Sequence, residues 1–83
     1  MDKVLVEVYV PILSRSFDLF VPRALPIHQV TALLKQAVSD LSDRGVLFDE
    51  QTVLCYRKDG VIIDVNKSVG ELGIYHGTKL MLM

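Results

Sequence analysis

Valine occupies every second position from Val4 to Val10, and no other feature constrains this chain as strongly, because a period of two puts all four on one face of an extended strand. Leu5, Glu7 and Tyr9 take the opposite face. Pro11 limits the run by removing a backbone donor. After the link Leu13–Ser14–Arg15 the alternation resumes, with Phe17, Leu19 and Val21 on one side and Ser16, Asp18 and Phe20 on the other. The two runs pair as an antiparallel hairpin, with the valines and Phe17, Leu19 and Val21 facing a common core.

The period then changes. From Pro26 onward Ile27, Val30, Leu33, Leu34, Ala37, Val38 and Leu41 fall in one stripe at about 100° per residue, the pattern of an amphipathic helix. Gln29, Lys35, Gln36, Ser39 and Asp40 take its wet side. Pro26 suits the first turn, where its missing N–H has no intrahelical partner, and Gly45 is placed to close the other end; Leu25 offers no capping side chain.

Beyond the helix, Val53 to Arg57 reads as a third strand, Asp59–Gly60 as a two-residue turn and Val61 to Ile63 as a fourth, shorter strand. Ser68 and Glu71 have capping-box spacing, which predicts one helical turn over Val69 to Leu72. Gly73 and Gly77 mark turns, and Lys79 to Met83 is a last strand with its leucines inward. The expected fold class is α+β, a roll in which a mixed five-stranded sheet packs one face on one long helix, with the last strand reaching the first by a right-handed crossover. At 83 residues, residues 1–83 form a single domain, since two cores would each be too small.

Half the residues are apolar (51%) and 23% are charged, a globular mixture that excludes disorder. Nine Lys and Arg against ten Asp and Glu are interspersed, so no basic surface for nucleic acid is expected. The apolar-rich run Val4 to Leu13 is interrupted by Glu7, lacks a basic n-region and is too short to span a bilayer. The expected location is cytoplasmic, with no membrane insertion. Cys55 is the one cysteine, which excludes an intrachain disulfide and multi-thiolate metal sites; it reads as a small half-buried hydrophobe.

The order of elements, with the ending Glu71–Leu72–Gly73–Ile74–Tyr75–His76–Gly77–Thr78–Lys79–Leu80–Met81–Leu82, resembles the ubiquitin superfamily, the β-grasp fold, over nearly the whole chain. Within it the stretch Val53–Leu54–Cys55–Tyr56–Arg57–Lys58–Asp59 and the Gly73–Ile74–x–x–Gly77 ending look most like the YukD/EsaB group, ubiquitin-like proteins of bacterial type VII (WXG100) secretion systems. One departure is Thr78, where many relatives carry an acidic residue. The resemblance implies an accessory or regulatory protein of that machinery, with secretion-system components as partners. Ubiquitin and the sulfur carriers of this fold act through a Gly–Gly tail; this sequence stops at Met83, so conjugation is not expected. The alternative is a modifier or sulfur carrier activated at a processed or missing tail.

No catalytic, cofactor-binding or metal-binding residues are expected, and the chain reads as no enzyme. His28 and His76 have no spaced partner, and a metal site needs at least three convergent ligands. Asp40, Asp43, Asp49 and Glu50 lack calcium-loop spacing, and Gly70 and Gly73 do not lead from a strand into a long helix. The informative feature is the sheet face turned away from the helix. Alternation places Leu5, Tyr9, Phe20, Cys55, Met81 and Met83 there, an unusually apolar set for a solvated surface. By the resemblance, Cys55, Met81 and Met83 lie in the recognition patch. Adaptable methionines suit binding, and the face is read as a protein-binding site, homodimerisation being one form of such contact.

Overall fold

The valine repeat forms strand β1 (Lys3–Val10), and all four valines are completely buried. The computed structural model describes residues 2–42 and 48–83. A single 3₁₀ turn, Pro11–Leu13, closes on Ser14, whose left-handed backbone (φ 51°) lets its N–H donate to the Pro11 carbonyl at 3.0 Å. The chain returns as β2 (Arg15–Pro22), antiparallel to β1 from Lys3↔Pro22 to Val10↔Arg15. Phe17 and Val21 are buried with the valines, and Leu19 packs half-buried against them.

Helix α1 (Ile27–Leu41) has 15 residues, about 22 Å at 1.5 Å per residue; it is short, not the long helix expected. Its buried stripe is Ile27, Val30, Leu34 and Val38, while Leu33 and Leu41, expected within it, are exposed. Pro26 is the N-cap and offers no side-chain bond. The first amides are instead satisfied from far along the chain: Ile27 N–H donates to the Lys67 carbonyl (2.9 Å) and His28 N–H to that of Val65 (3.2 Å). Ser42, in extended conformation, ends the helix, and Gly45 lies outside the described residues.

Strand β3 (Leu54–Tyr56) is antiparallel to β4 (Thr78–Leu82), and reciprocal bonds between Val53 and Met83 (2.8 and 3.1 Å) continue the pairing. β4 in turn runs parallel to β1 from Val6↔Thr78 to Tyr9↔Met81, giving the mixed order β2-β1-β4-β3. Among the described residues the sheet therefore has four strands, not the five expected. Val61 to Ile63 makes one bridge, Cys55↔Ile62, flanked by Tyr56 N–H to the Val61 carbonyl (3.0 Å) and Ile63 N–H to that of Leu54 (3.1 Å). The chain then leaves at once, because Asp64 Oδ1 accepts from Asn66 N–H (3.0 Å) and turns the backbone toward the helix N-terminus. The loop before it spans 57–60, two residues longer than the Asp59–Gly60 turn expected: Gly60 N–H donates to the Tyr56 carbonyl (2.8 Å), and Asp59 Oδ1 accepts from Val61 N–H (3.0 Å).

The Ser68/Glu71 pair forms its box reciprocally. Ser68 N–H donates to Glu71 Oε1 (2.9 Å) and Glu71 N–H to Ser68 Oγ (3.1 Å), around turns in place of the expected helical turn. It sits where the chain crosses behind the helix start, with Val69 N–H on the Leu25 carbonyl (3.2 Å) and Gly70 N–H on that of Arg23 (3.0 Å). Gly70 lies close against the Arg23 side chain: a Cβ there would stand 2.8 Å from Arg23 Cγ, so the arginine would have to shift.

The Ser68 N–H, and then its hydroxyl, hold the Glu71 carboxyl below the usual range. A depressed carboxylate stabilises the fold above its unfolded pKa and loses that contribution as pH falls through its folded value. Thermal melts should therefore show Ser68→Ala lowering the Tm, by an amount that shrinks as pH falls through the Glu71 titration. Glu71→Gln should keep the backbone acceptor while flattening the acid side of the Tm–pH curve.

Candidate protein-interaction face

Strand register sorts the face opposite α1 into rows. Ser16, Tyr9, Met81 and Cys55 lie abreast across β2, β1, β4 and β3, and the bridge from Cys55 adds Ile62. The next row is Asp18, Glu7 and Lys79, and the one beyond it Phe20 and Leu5. The six residues expected to form one patch are thus divided. Tyr9, Cys55 and Met81 share a row and Met83 lies one step further along the same side of the chain, but Leu5 and Phe20 are separated from Tyr9 by the charged row, about 13 Å along the strand.

A polar clasp reinforces the division. Arg57, at the end of β3, donates its backbone N–H to the Lys79 carbonyl (3.2 Å) and reaches across β4 to donate from Nη1 to Glu7 Oε2 at 3.0 Å. Its guanidinium carbon stands 4.4 Å from the centroid of the Tyr9 ring, in cation–π range. Tyr9 is half-buried beneath this contact.

Cys55 corrects the sequence expectation. It lies in the outward row yet has 0% exposure, so its side chain cannot serve as an exposed contact. Met81 and Ile62 flank it in the plane of the sheet, and its thiol donates to the Met81 carbonyl at 3.4 Å. Burial, and after it the Asp59 carboxylate, pushes the thiol pKa up. A small side chain in this position gives its row a floor, and the exposed apolar surface belongs to its neighbours: Ile62 is 61% exposed and Met83 58%. Met83 also borders a cavity of about 320 Å³ that it shares with Pro11, Ile12 and Phe48; Ile12 is 79% exposed. Ile62 and Ile12 were not among the residues expected from sequence. Ile62 enters only through the true loop length before it, and Ile12 only through the 3₁₀ turn that follows β1.

At the other end of β1, Leu5 is held by the turn that opens β4. Gly77 N–H donates to its carbonyl (2.9 Å), and its own N–H donates to His76 Nδ1 (3.0 Å). His76 therefore extends the parallel ladder with its side chain. Among the described residues no three His, Cys, Asp or Glu side chains converge, and no helix is long and apolar enough to cross a membrane.

No protein-family description and no curated protein matches the chain. Solved structures do. The EccD5 ubiquitin-like domain from Mycobacterium xenopi superposes with a TM-score of 0.71 at 17% identity, covering 100% of this chain and 94% of that one. The ubiquitin-like domain of the Mycobacterium tuberculosis type VII secretion system protein ECCD1 gives 0.69 at 21% identity, covering 100% and 99%. Caldiarchaeum subterraneum ubiquitin gives 0.73 at 16% identity, covering 96% and 90%. The chain has the ubiquitin-like β-grasp fold, with one helix on a mixed four-stranded sheet.

Two outcomes follow for this face. The Cys55 thiol should react with Ellman's reagent at least ~100-fold more slowly in the folded chain than in denaturant, because attack requires exposure and ionisation. A double-mutant cycle of Glu7→Gln and Arg57→Met, followed by chemical denaturation, should give a coupling of about 0.5 kcal/mol that shrinks with added salt, as for an exposed pair.

Proposed function

We propose that this chain is a non-catalytic, ubiquitin-like interaction module, a cytoplasmic accessory protein of a bacterial type VII (WXG100) secretion system of the YukD/EsaB kind. It engages another protein of that apparatus through Tyr9, Ile62, Met81 and Met83, with Ile12 at the margin. The observation that carries this reading is the exposure of two large apolar side chains, Ile62 in the Met81 row and Met83 one step beyond it, on the sheet face left uncovered by α1. Large adjoining apolar side chains on a wet surface mark contacts more often than scattered ones do. The likeness to the ubiquitin-like domains of EccD5 and ECCD1 supports a place beside secretion components. Leu5 and Phe20 form a separate apolar pair beyond the charged row.

The test is co-purification of the tagged chain with the products of its neighbouring secretion genes, beside light scattering of the isolated chain. Ile62→Glu combined with Met81→Glu should remove the captured partner by at least about tenfold, since burying a charge in an apolar contact costs more than about 1.4 kcal/mol, while circular dichroism stays native. Capture unchanged in that variant would refute the reading. A concentration-dependent dimer lost in the variant identifies a second copy as the partner.

A further inference from the structure

A second concavity lies off the outer face, beside the turn that opens β4. It measures about 490 Å³, within the range of ligand-binding clefts. Tyr56 from β3, Leu72, Ile74 and Tyr75 supply its apolar walls, with Ile74 buried and the Tyr75 ring 70% exposed. Gly73 and Gly77 line it as well. Both have positive φ (70° and 93°), and a Cβ at either would meet nothing within 4 Å, so the turns they hold leave the groove open.

The charged residues of the lining are Lys58 and Lys79, both exposed. Strand register sets Lys79 opposite Glu7, the natural partner, but Glu7 is engaged by Arg57 at 3.0 Å. Among the described residues neither lysine is in an ion pair. The result is a groove of mixed polarity, part apolar wall and part polar, bordered by two lysines outside any ion pair and lined by no Asp or Glu among the described residues. Such a site attracts negative charge and rewards burial of an apolar side chain at the same time. A free phosphate would use the lysines and none of the trough. A nucleic acid would need a far broader basic surface than two lysines on a chain of net charge −1.

We propose that this groove binds an acidic peptide segment of a partner protein, seating an apolar or aromatic side chain against Tyr56, Leu72 and Tyr75 with flanking carboxylates on Lys58 and Lys79. The site is distinct from the outer-face row, and the proposal stands whether or not that row binds.

Selection of short random peptides displayed on phage against the natural chain, followed by fluorescence anisotropy of the recovered peptides, tests it. Asp or Glu should flank an apolar residue in the selected sequences. Their affinity should fall about tenfold or more in Lys58→Glu combined with Lys79→Glu, and with rising salt. Tyr75→Ala should weaken binding without removing its salt dependence, and Ile62→Glu with Met81→Glu should leave it unchanged. Both lysines are on the surface, so the charge reversals should fold, which circular dichroism verifies. A neutral or basic consensus, no enriched sequence, or affinity unchanged in the folded lysine variant would overturn the proposal.

Discussion

The parallel pairing of β1 with β4 is the constraint on which the rest of this structure depends. β1 lies inside the sheet, with β2 on one side and β4 on the other, and its four valines form the floor on which the helix rests. An antiparallel neighbour such as β2 needs only a short turn, here a 3₁₀ turn and one left-handed serine. A parallel neighbour requires the chain to travel back over the sheet before it pairs. Everything between Pro22 and Thr78 serves that return. Its arrival is fixed by two hydrogen bonds at one residue: the Leu5 carbonyl accepts from the Gly77 N–H and the Leu5 N–H donates to the His76 ring, next to the point where β4 pairs with β1 from Val6 onward.

The same return supplies what the helix lacks. Pro26 cannot cap with a side chain, and the first amides of α1 are orphaned unless something else accepts from them. The segment after Ile63 does so with the carbonyls of Val65 and Lys67, and the Ser68–Glu71 box then fixes the turn that follows. The close approach of Gly70 to Arg23 shows how tightly this segment lies against the link before the helix. Helix start and crossover loop are thus joined by backbone bonds: the box follows directly on the carbonyl of Lys67, which satisfies the amide of Ile27, 40 residues earlier in sequence.

Periodicity made the hairpin, the helix and the outer strands legible, since each rests on a repeat of two or 3.6 that burial enforces. The buried valines, Phe17 and Val21, and the stripe of Ile27, Val30, Leu34 and Val38 lie where that argument puts them. What failed was set by backbone bonds with no repeat. Asp59–Gly60 does turn the chain, but the loop closes from Tyr56 to Val61, so Cys55 faces Ile62; a two-residue turn would have set Cys55 against Asp64. The fifth strand fails for a related reason, because the Asp64 side chain bends the chain away after one bridge. The outer face was legible by side and not by depth. Alternation assigns Cys55 to the outward row correctly, yet exposure depends on the size of its neighbours, and a small thiol between Met81 and Ile62 is covered.

Arg57 decides which parts of that face remain available. By taking Glu7 and lying over Tyr9, it spreads charge across the middle of the sheet and separates the Leu5–Phe20 pair from the Met81 row. It also removes the carboxylate that register offers to Lys79, leaving that ammonium to the groove beside β4. One side chain therefore produces two surfaces of different chemistry. At the Met81 end, apolar residues crowd around a buried thiol and invite a desolvated contact whose strength depends on area. At the groove, a trough of mixed polarity bordered by lysines favours an acidic guest and responds to salt. For a protein that touched both, charge on Lys58 and Lys79 would orient its approach before the apolar contact at Met81 closed.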